Sequence, residues 1–434
     1  MTNRTRRTAA GTVAAATALT LAACGVAEST GSGELSDEPV TLRVMWWGGD
    51  ARHTRTQEAF DLFQEKYPNI TVEPEFSDWN GYWEKLATAT AGGNSPDVVQ
   101  MDQLYLASYA ARGSLVDLGT QDQLDTSTLE PSVLDMGRWD DKLYAMPIST
   151  TSTALLVNTD LVEELGVPLP DTSTWTWDEF EAWAREVTEK SPAGTYGTGI
   201  LYNEYSLQLF ARQLGDELFS ADDIVIEPET LAAYFQMALD WTKDGAAPPA
   251  SVTAETITLP LDQQDFSIGK AASVFTSSTL ITAYAAASGA NIELVPLPTP
   301  DQDTTPYDYF KPGMYWSVSS KAKHPAEAAL LIDFLVNDPE AGRILGTERG
   351  IPANPDVVEA LADELTAEEQ KTVDFAAQRT PKLGDAPAIV PNGASDIQTI
   401  LLRYQQDVIF ERQTPLEAAN ALIAEIQRSV AAAR

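Results

Sequence analysis

Apolar and polar residues alternate along Val40–Trp46, VTLRVMW, the period of a strand with one buried face. Gly48 and Gly49 end that run. Phe60, Phe63 and Tyr67 then recur at i, i+3 and i+7, which predicts a helix that Pro68–Asn69 stops. Residues 70–76 read as a second strand, and residues 80–91, NGYWEKLATATA, as a helix ended by Gly92–Gly93. Residues 97–101 form a short third strand that runs into Asp102. Strand, helix, strand, helix, strand predicts an α/β fold with a largely parallel sheet.

The middle of the chain continues in the same style. Residues 142–147 read as a strand entering a turn, and Ala154–Asn158 as another strand. Thr176-Trp177-Asp178-Glu179 has the T-x-x-E form of a capping box. It opens a helix with Phe180, Trp183, Ala184 and Val187 on one apolar face, so Trp183 is expected in the core. Residues 271–275 and 292–297 read as buried strands. Pro325 suits a first helical turn, and residues 326–336, AEAALLIDFLV, predict a deeply packed helix. Trp241 is assigned to the core, and residues 394–434 to one or two amphipathic helices.

The first 23 residues depart from this pattern. Arg4, Arg6 and Arg7 precede an uncharged stretch at residues 8–23, too short and Ala/Thr-rich for a membrane span, which needs about 20 apolar residues. It has the form of a secretory signal peptide. Leu21-Ala22-Ala23-Cys24-Gly25 resembles a bacterial lipobox, which implies that Cys24 is lipidated and becomes the new N-terminus. Residues 24–39 then form a lipidated cysteine and a Gly/Ser/acid-rich flexible tether. The expected location is the extracytoplasmic face of the cell membrane.

Length and charge narrow the function. At 434 residues the chain is long enough for two lobes. A net charge of −36 repels nucleic-acid phosphates and anionic headgroups. Cys24 is the sole cysteine, which excludes internal disulfides and multi-cysteine zinc sites. No serine-hydrolase elbow, P-loop, zinc-protease or dinucleotide motif is present, so no catalytic residue, metal site or cofactor is assigned. What stands out is VMWWGGDARH at residues 44–53, two indoles against two glycines at a strand's carboxyl end. In open α/β sheets ligands bind outside such ends. Aromatic rings stack on the C–H faces of sugars while acids, amides and hydroxyls meet their hydroxyl groups, so a cleft with both is a carbohydrate site by chemistry.

Several segments together resemble the extracellular solute-binding proteins of family 1, the carbohydrate-binding lipoproteins of ABC importers that include the maltose-binding protein. They are TLRVMWWGGDARHTRTQEAFDLFQEKYPNITVEPEF, WNGYWEKLATATAGGNSPDVVQMD, KLYAMPISTTSTALLVNTDLVEELGV, GKAASVF and SVSSKAKHPAEAALLIDFLVNDPEAGRIL. The resemblance implies a two-lobed periplasmic-binding-protein-like fold of type II, with discontinuous lobes joined by crossing strands at a hinge. It assigns residues 40–149 with about 270–312 to the N-terminal lobe, and 150–269 with about 313–434 to the C-terminal lobe. It implies a monomer that binds a mono- or oligosaccharide between the lobes, without catalysis, and passes it to permease subunits.

Strand ends, guided by that resemblance, select the ligand-binding candidates. The first lobe offers Trp46, Trp47, Arg52, His53, Trp79, Tyr82, Asp102 and Tyr105. The crossover offers Ser149 and Thr151, and Ser277 follows a returning strand. Glu204, Tyr205, Tyr315, Trp316 and Arg349 complete the set from the second lobe. Competing readings are a binding protein for another solute, such as a uronic acid oligomer or a polyamine, and a tethered glycosidase.

Overall fold

The central apolar strands and the helices between them build two sheets and a third, smaller one that joins them. The computed structural model describes residues 33–301 and 306–434; the signal segment and Cys24 lie outside the described residues. The chain opens with β1 (Val40–Trp47), α1 (Asp50–Lys66), β2 (Ile70–Ser77), α2 (Trp79–Ala91), β3 (Val98–Met101) and α3 (Gln103–Ala111). Three strands follow closely: β4 (Met146–Pro147), β5 (Ser149–Thr151) and β6 (Thr153–Asn158). Next come α4 (Trp177–Lys190), α5 (Glu204–Gln213), β7 (Ser273–Ser277) and β8 (Ile292–Val295). The last third contains β9 (Lys311–Pro312), β10 (Tyr315–Val318), α6 (Pro325–Asn337), β11 (Ile351–Pro352), α7 (Ile397–Ile409) and α8 (Pro415–Ala433).

The first sheet has the order β2-β1-β3-β10-β4. Its β1, β2 and β3 are parallel, while β10 runs antiparallel to β3 and β4. The second sheet, β8-β6-β7, is antiparallel throughout. The third is the joint: β5 sits between β9 and β11, with Lys311 opposite Thr151 and Ile351 opposite Thr150. Three segments of chain thus pass between the lobes side by side.

Each lobe has its own core. The first packs Trp46, Phe60 and Phe63 of β1 and α1 against Leu331, Phe334 and Leu335 of α6. The second packs Trp177, Phe180 and Trp183 against Trp241, Phe275 and Leu422. The capping box at Thr176 and Glu179 is formed, and it starts α4 with its aromatic face turned inward. A second capping box, Thr414 with Glu417, starts α8.

Strand pairing reverses one expectation. Residues 270–312 were assigned to the first lobe, but β7 and β8 flank β6 in the second sheet. Residues 313–350, expected in the second lobe, instead supply β10 and α6 to the first. The reason is register: Val295 to Ile292 find their partners along β6, and Tyr315 to Val318 along β3. Part of the expected tether is also docked. Ser36 N–H donates to Glu327 at 2.7 Å, and the Asn69 side chain donates to Ser36 O at 2.8 Å. Among the described residues no helix is long and apolar enough to cross a membrane.

Burying an aromatic side chain removes about 150–250 Å² from water and contributes roughly 4–6 kcal/mol at about 25 cal/mol per Å². Trp46 is fully buried and Trp79 is 38% exposed. Trp46→Ala is therefore expected to cost about 3–5 kcal/mol in urea denaturation, and Trp79→Ala less than about half of that. Equal losses would contradict this placement of the two indoles.

Candidate functional site

Three helices start directly after three strand ends on one edge of the first sheet. α1 follows β1, α2 follows β2 and α3 follows β3. This edge is the carboxyl edge at which open α/β folds bind ligands. Asp78 and Asp102 cap the second and third of these helices, Asp102 accepting from Leu104 N–H at 2.9 Å.

Neighbouring residues of a strand face opposite sides, and this separates the two indoles of VMWWGGDARH. Trp46 points toward α1, edge-on to Phe60, and its Nε1 donates to His53 Nδ1 at 3.1 Å. Trp47 points toward α2, edge-on to Trp79 at 5.0 Å and Tyr82 at 5.1 Å. Trp83 of the same helix lies 3.9 Å from Tyr105, ring centre to ring centre. Gly48 is needed because a Cβ there would collide with the Arg52 side chain. At the rim, Phe76 is 42% exposed and stacks on His53 at 4.1 Å.

The cations beside this edge already have partners. Arg52 pairs with Glu348 at 2.6 Å and donates to Trp47 O at 3.1 Å. Arg349 turns into the first lobe, where Nη2 donates to Thr56 at 2.8 Å and the guanidinium lies over Trp316. Burial, with Arg52 adding to it, pulls the Arg349 pKa down to about 9. Burial also lowers the His53 pKa, with Asp50 opposing.

The facing wall comes from the hinge sheet and the second lobe. Thr151, Ser277 and Thr279 form a chain of hydroxyls, Ser277 and Thr279 being 2.9 Å apart. Glu204, at the start of α5, pairs with Lys311 at 2.6 Å. Asp102 lies in the field of both: burial pushes its carboxyl up, Lys311 pulls it down and Glu204 pushes it up. Leu104 packs on the second core, so α3 brings the walls together. A cavity of about 1880 Å³ lies elsewhere. It is lined by Trp139, Thr150, Phe310 and Ile351 and by none of the expected site residues, because Thr150 points away from the face that Ser149 and Thr151 share.

The structure thus gathers Arg52, His53, Trp79, Asp102 and Tyr105 on one wall, with Trp47 buried behind Trp79 at 7% exposure, and Thr151, Glu204 and Ser277 on the other. Trp46, Tyr82, Tyr315 and Trp316 are corrections: all four are enclosed in the first core. Tyr82 donates to Gln100 O, and Tyr315 donates to Met136 O at 3.0 Å. Tyr315 and Trp316 were also expected in the second lobe, whereas β10 belongs to the first sheet. Ser149 is buried in the hinge, donating to Arg349 O, and Arg349 is turned inward. Tyr205 is buried, its hydroxyl donating to Tyr309 O at 3.1 Å. Sequence reasoning chose Tyr82 over its helix neighbour Trp83, and it missed Thr279 and Lys311. The i, i+4 spacing of Trp79 and Trp83 could have found Trp83.

Because Trp46 donates to Nδ1, that nitrogen must be unprotonated in the fold. The His53 pKa is below its ordinary 6.5, so its contribution to stability is complete above about pH 6.5. It is lost as pH falls through the folded pKa, where the unfolded chain has already taken up the proton. NMR titration is expected to place His53 below 6.5, with a parallel change in tryptophan emission that His53→Gln abolishes. A pKa at or above 6.5 would contradict the Trp46–His53 bond.

Known proteins share this architecture. The galactooligosaccharide-binding protein of Bacillus subtilis is 22% identical over 399 residues, 89% of this chain and 90% of that protein. The diacetylchitobiose binding protein DasA of Streptomyces coelicolor is 24% identical over 432 residues, 95% of this chain and 96% of that protein. A periplasmic oligogalacturonide binding protein from Yersinia enterocolitica, solved with saturated digalacturonic acid, superposes with a TM-score of 0.76 at 25% identity, over 91% of this chain and 99% of that one. Residues 50–342 match the family of bacterial extracellular solute-binding proteins. With its two lobes, its crossing strands and its carboxyl-edge cleft, the chain belongs to that family.

Proposed function

We propose that this protein captures a neutral mono- or oligosaccharide between its lobes and delivers it to the permease of an ABC importer. The observation that carries the reading is the pairing of chemistries on one edge. Trp79 and Tyr105 offer ring faces and Asp102 a carboxylate from the first lobe, while Glu204, Thr151 and Ser277 offer hydrogen-bond partners from the facing wall. Trp79 and Phe76 keep more than a third of their surface in water, where their exposed faces are available to a sugar ring. Ligand binding across the two lobes would close them by hinge bending at the three crossing strands. The relatives named for galactooligosaccharide and diacetylchitobiose support a sugar as the solute.

A uronic acid oligomer is the second reading, favoured by the likeness to the oligogalacturonide binding protein. The local charges speak against it. Arg52 is paired with Glu348, Arg349 is turned into the core, and Lys311 is paired with Glu204. A carboxylate ligand would find each of these cations engaged.

Titration of intrinsic tryptophan fluorescence against neutral di- and trisaccharides tests the reading. A saturable change is expected. Asp102→Asn should weaken binding about tenfold or more, since a hydrogen bond to a charged group contributes roughly 1.5–3 kcal/mol. Trp79→Ala should weaken it similarly, as a stacked indole at a binding centre is worth about 2 kcal/mol. A response confined to uronic acids would move the assignment to the second reading, and no response in folded protein would remove the sugar altogether.

Anchoring is a separate part of the proposal. The lipobox-like segment before Cys24 supports a diacylglycerol anchor on the extracytoplasmic face of the membrane, with the folded body as a monomer. Cys24→Ser is expected to shift the protein from the membrane fraction to the soluble fraction. Retention at the membrane would exclude the thioether anchor.

A further inference from the structure

Lys311 lies on β9, the second of the three crossings between the lobes. Its register opposite Thr151 turns it toward the cleft face of the hinge sheet. Its ammonium meets Glu204 of the second lobe at 2.6 Å and lies 5.3 Å from the centre of the Tyr205 ring. Asp102 of the first lobe is the second carboxylate that acts on it. Burial opposes its charge, yet Glu204 and Asp102 together hold its pKa above the ordinary value. One carboxylate of the second lobe therefore pairs with the ammonium carried by the hinge, and one of the first lobe lies within its field.

We propose that Lys311 is a specificity-determining residue that offsets the charge of Asp102 and Glu204 and so sets the cleft for neutral saccharides over cationic amino sugars. The inference rests on the sugar reading above. With Lys311 in place, a ligand ammonium meets a like charge at the spot where the carboxylates would otherwise attract it. Without it, two acids face each other with no cation between them. Repulsion then opposes closure, and a protonated amine on the ligand relieves it. Neither effect requires Lys311 to touch the sugar.

The test uses the full chain as wild type, Lys311→Gln and the double variant Lys311→Gln/Glu204→Gln. Each is titrated with a neutral panel (maltose, lactose, cellobiose) and with the protonated disaccharide of glucosamine. The lobe spacing of each unliganded protein is measured by small-angle scattering. Lys311→Gln should weaken the neutral ligand about tenfold or more and shift the preference toward the amino sugar by a similar factor. The double variant, which removes one acid with the base, should recover the neutral preference. An unchanged preference in Lys311→Gln, or a double variant whose preference stays shifted as far as that of the single, would overturn the proposal. If the wild type binds neither class, the sugar reading fails, and scattering still decides the charge-balancing role. A wider unliganded form in Lys311→Gln that narrows in the double variant upholds that role, and identical forms in all three overturn it.

Discussion

Three short strands crossing between two lobes are the constraint on which the rest of this structure depends. They pack around Ser149, whose hydroxyl donates to the Arg349 carbonyl of the neighbouring crossing. A Cβ at Gly313 would sit 2.6 Å from the Ser149 oxygen and 3.1 Å from that carbonyl, so the chain leaving β9 can approach only without a side chain. With β5 paired on both edges, the crossing backbone has partners inside the joint. Arg349 then extends from the joint into the first lobe, bonding Thr56 of α1 and resting on Trp316 of β10. The hinge is tied to the core of one lobe by a buried cation with neutral partners, a costly arrangement that burial registers as a depressed pKa.

That joint decides what can meet across the cleft. Alternation along β5 directs Thr151 to the same side as Lys311 and sends Thr150 to the other. The hydroxyl chain through Ser277 and Thr279 and the Glu204–Lys311 pair line up on the cleft side. From the first lobe, the end of β3 brings Asp102 into the field of that pair. The proposed site needs all three sheets in place. Its parts come from positions as distant in sequence as Glu204 and Lys311, 107 residues apart.

Charge is used locally even though the chain is strongly acidic. A net charge of −36 sets the general surface field. Near the cleft, each of the three cations is held in place by a specific contact: Arg52 by Glu348, Lys311 by Glu204, and Arg349 by Thr56. Such engaged cations shape the cleft without demanding an anion from the ligand. The aromatic groups divide in the same way. Trp46, Trp316 and Tyr82 fill the first core, and Trp79 and Phe76 remain at the rim.

Local patterns in the sequence determined much of the scaffold. Alternation from Val40 marked β1, the T-x-x-E at Thr176 marked the start of α4, and the apolar run after Pro325 marked α6. These features depend on contacts within a few residues, and so they are legible. Asp102 was legible too, as the residue at the end of a strand of a parallel sheet. Tertiary structure alone decided that Trp46 and Trp47 are both enclosed, on opposite faces of β1, and that Tyr82 is covered more fully than Trp83, since a repeat along the chain separates faces without saying which is covered. It also decided that β7 and β8 join β6, and that Lys311 serves both walls of the cleft. Strand partners and ion pairs are chosen by surfaces that meet only after folding, and a residue's own neighbours in the chain carry no record of them.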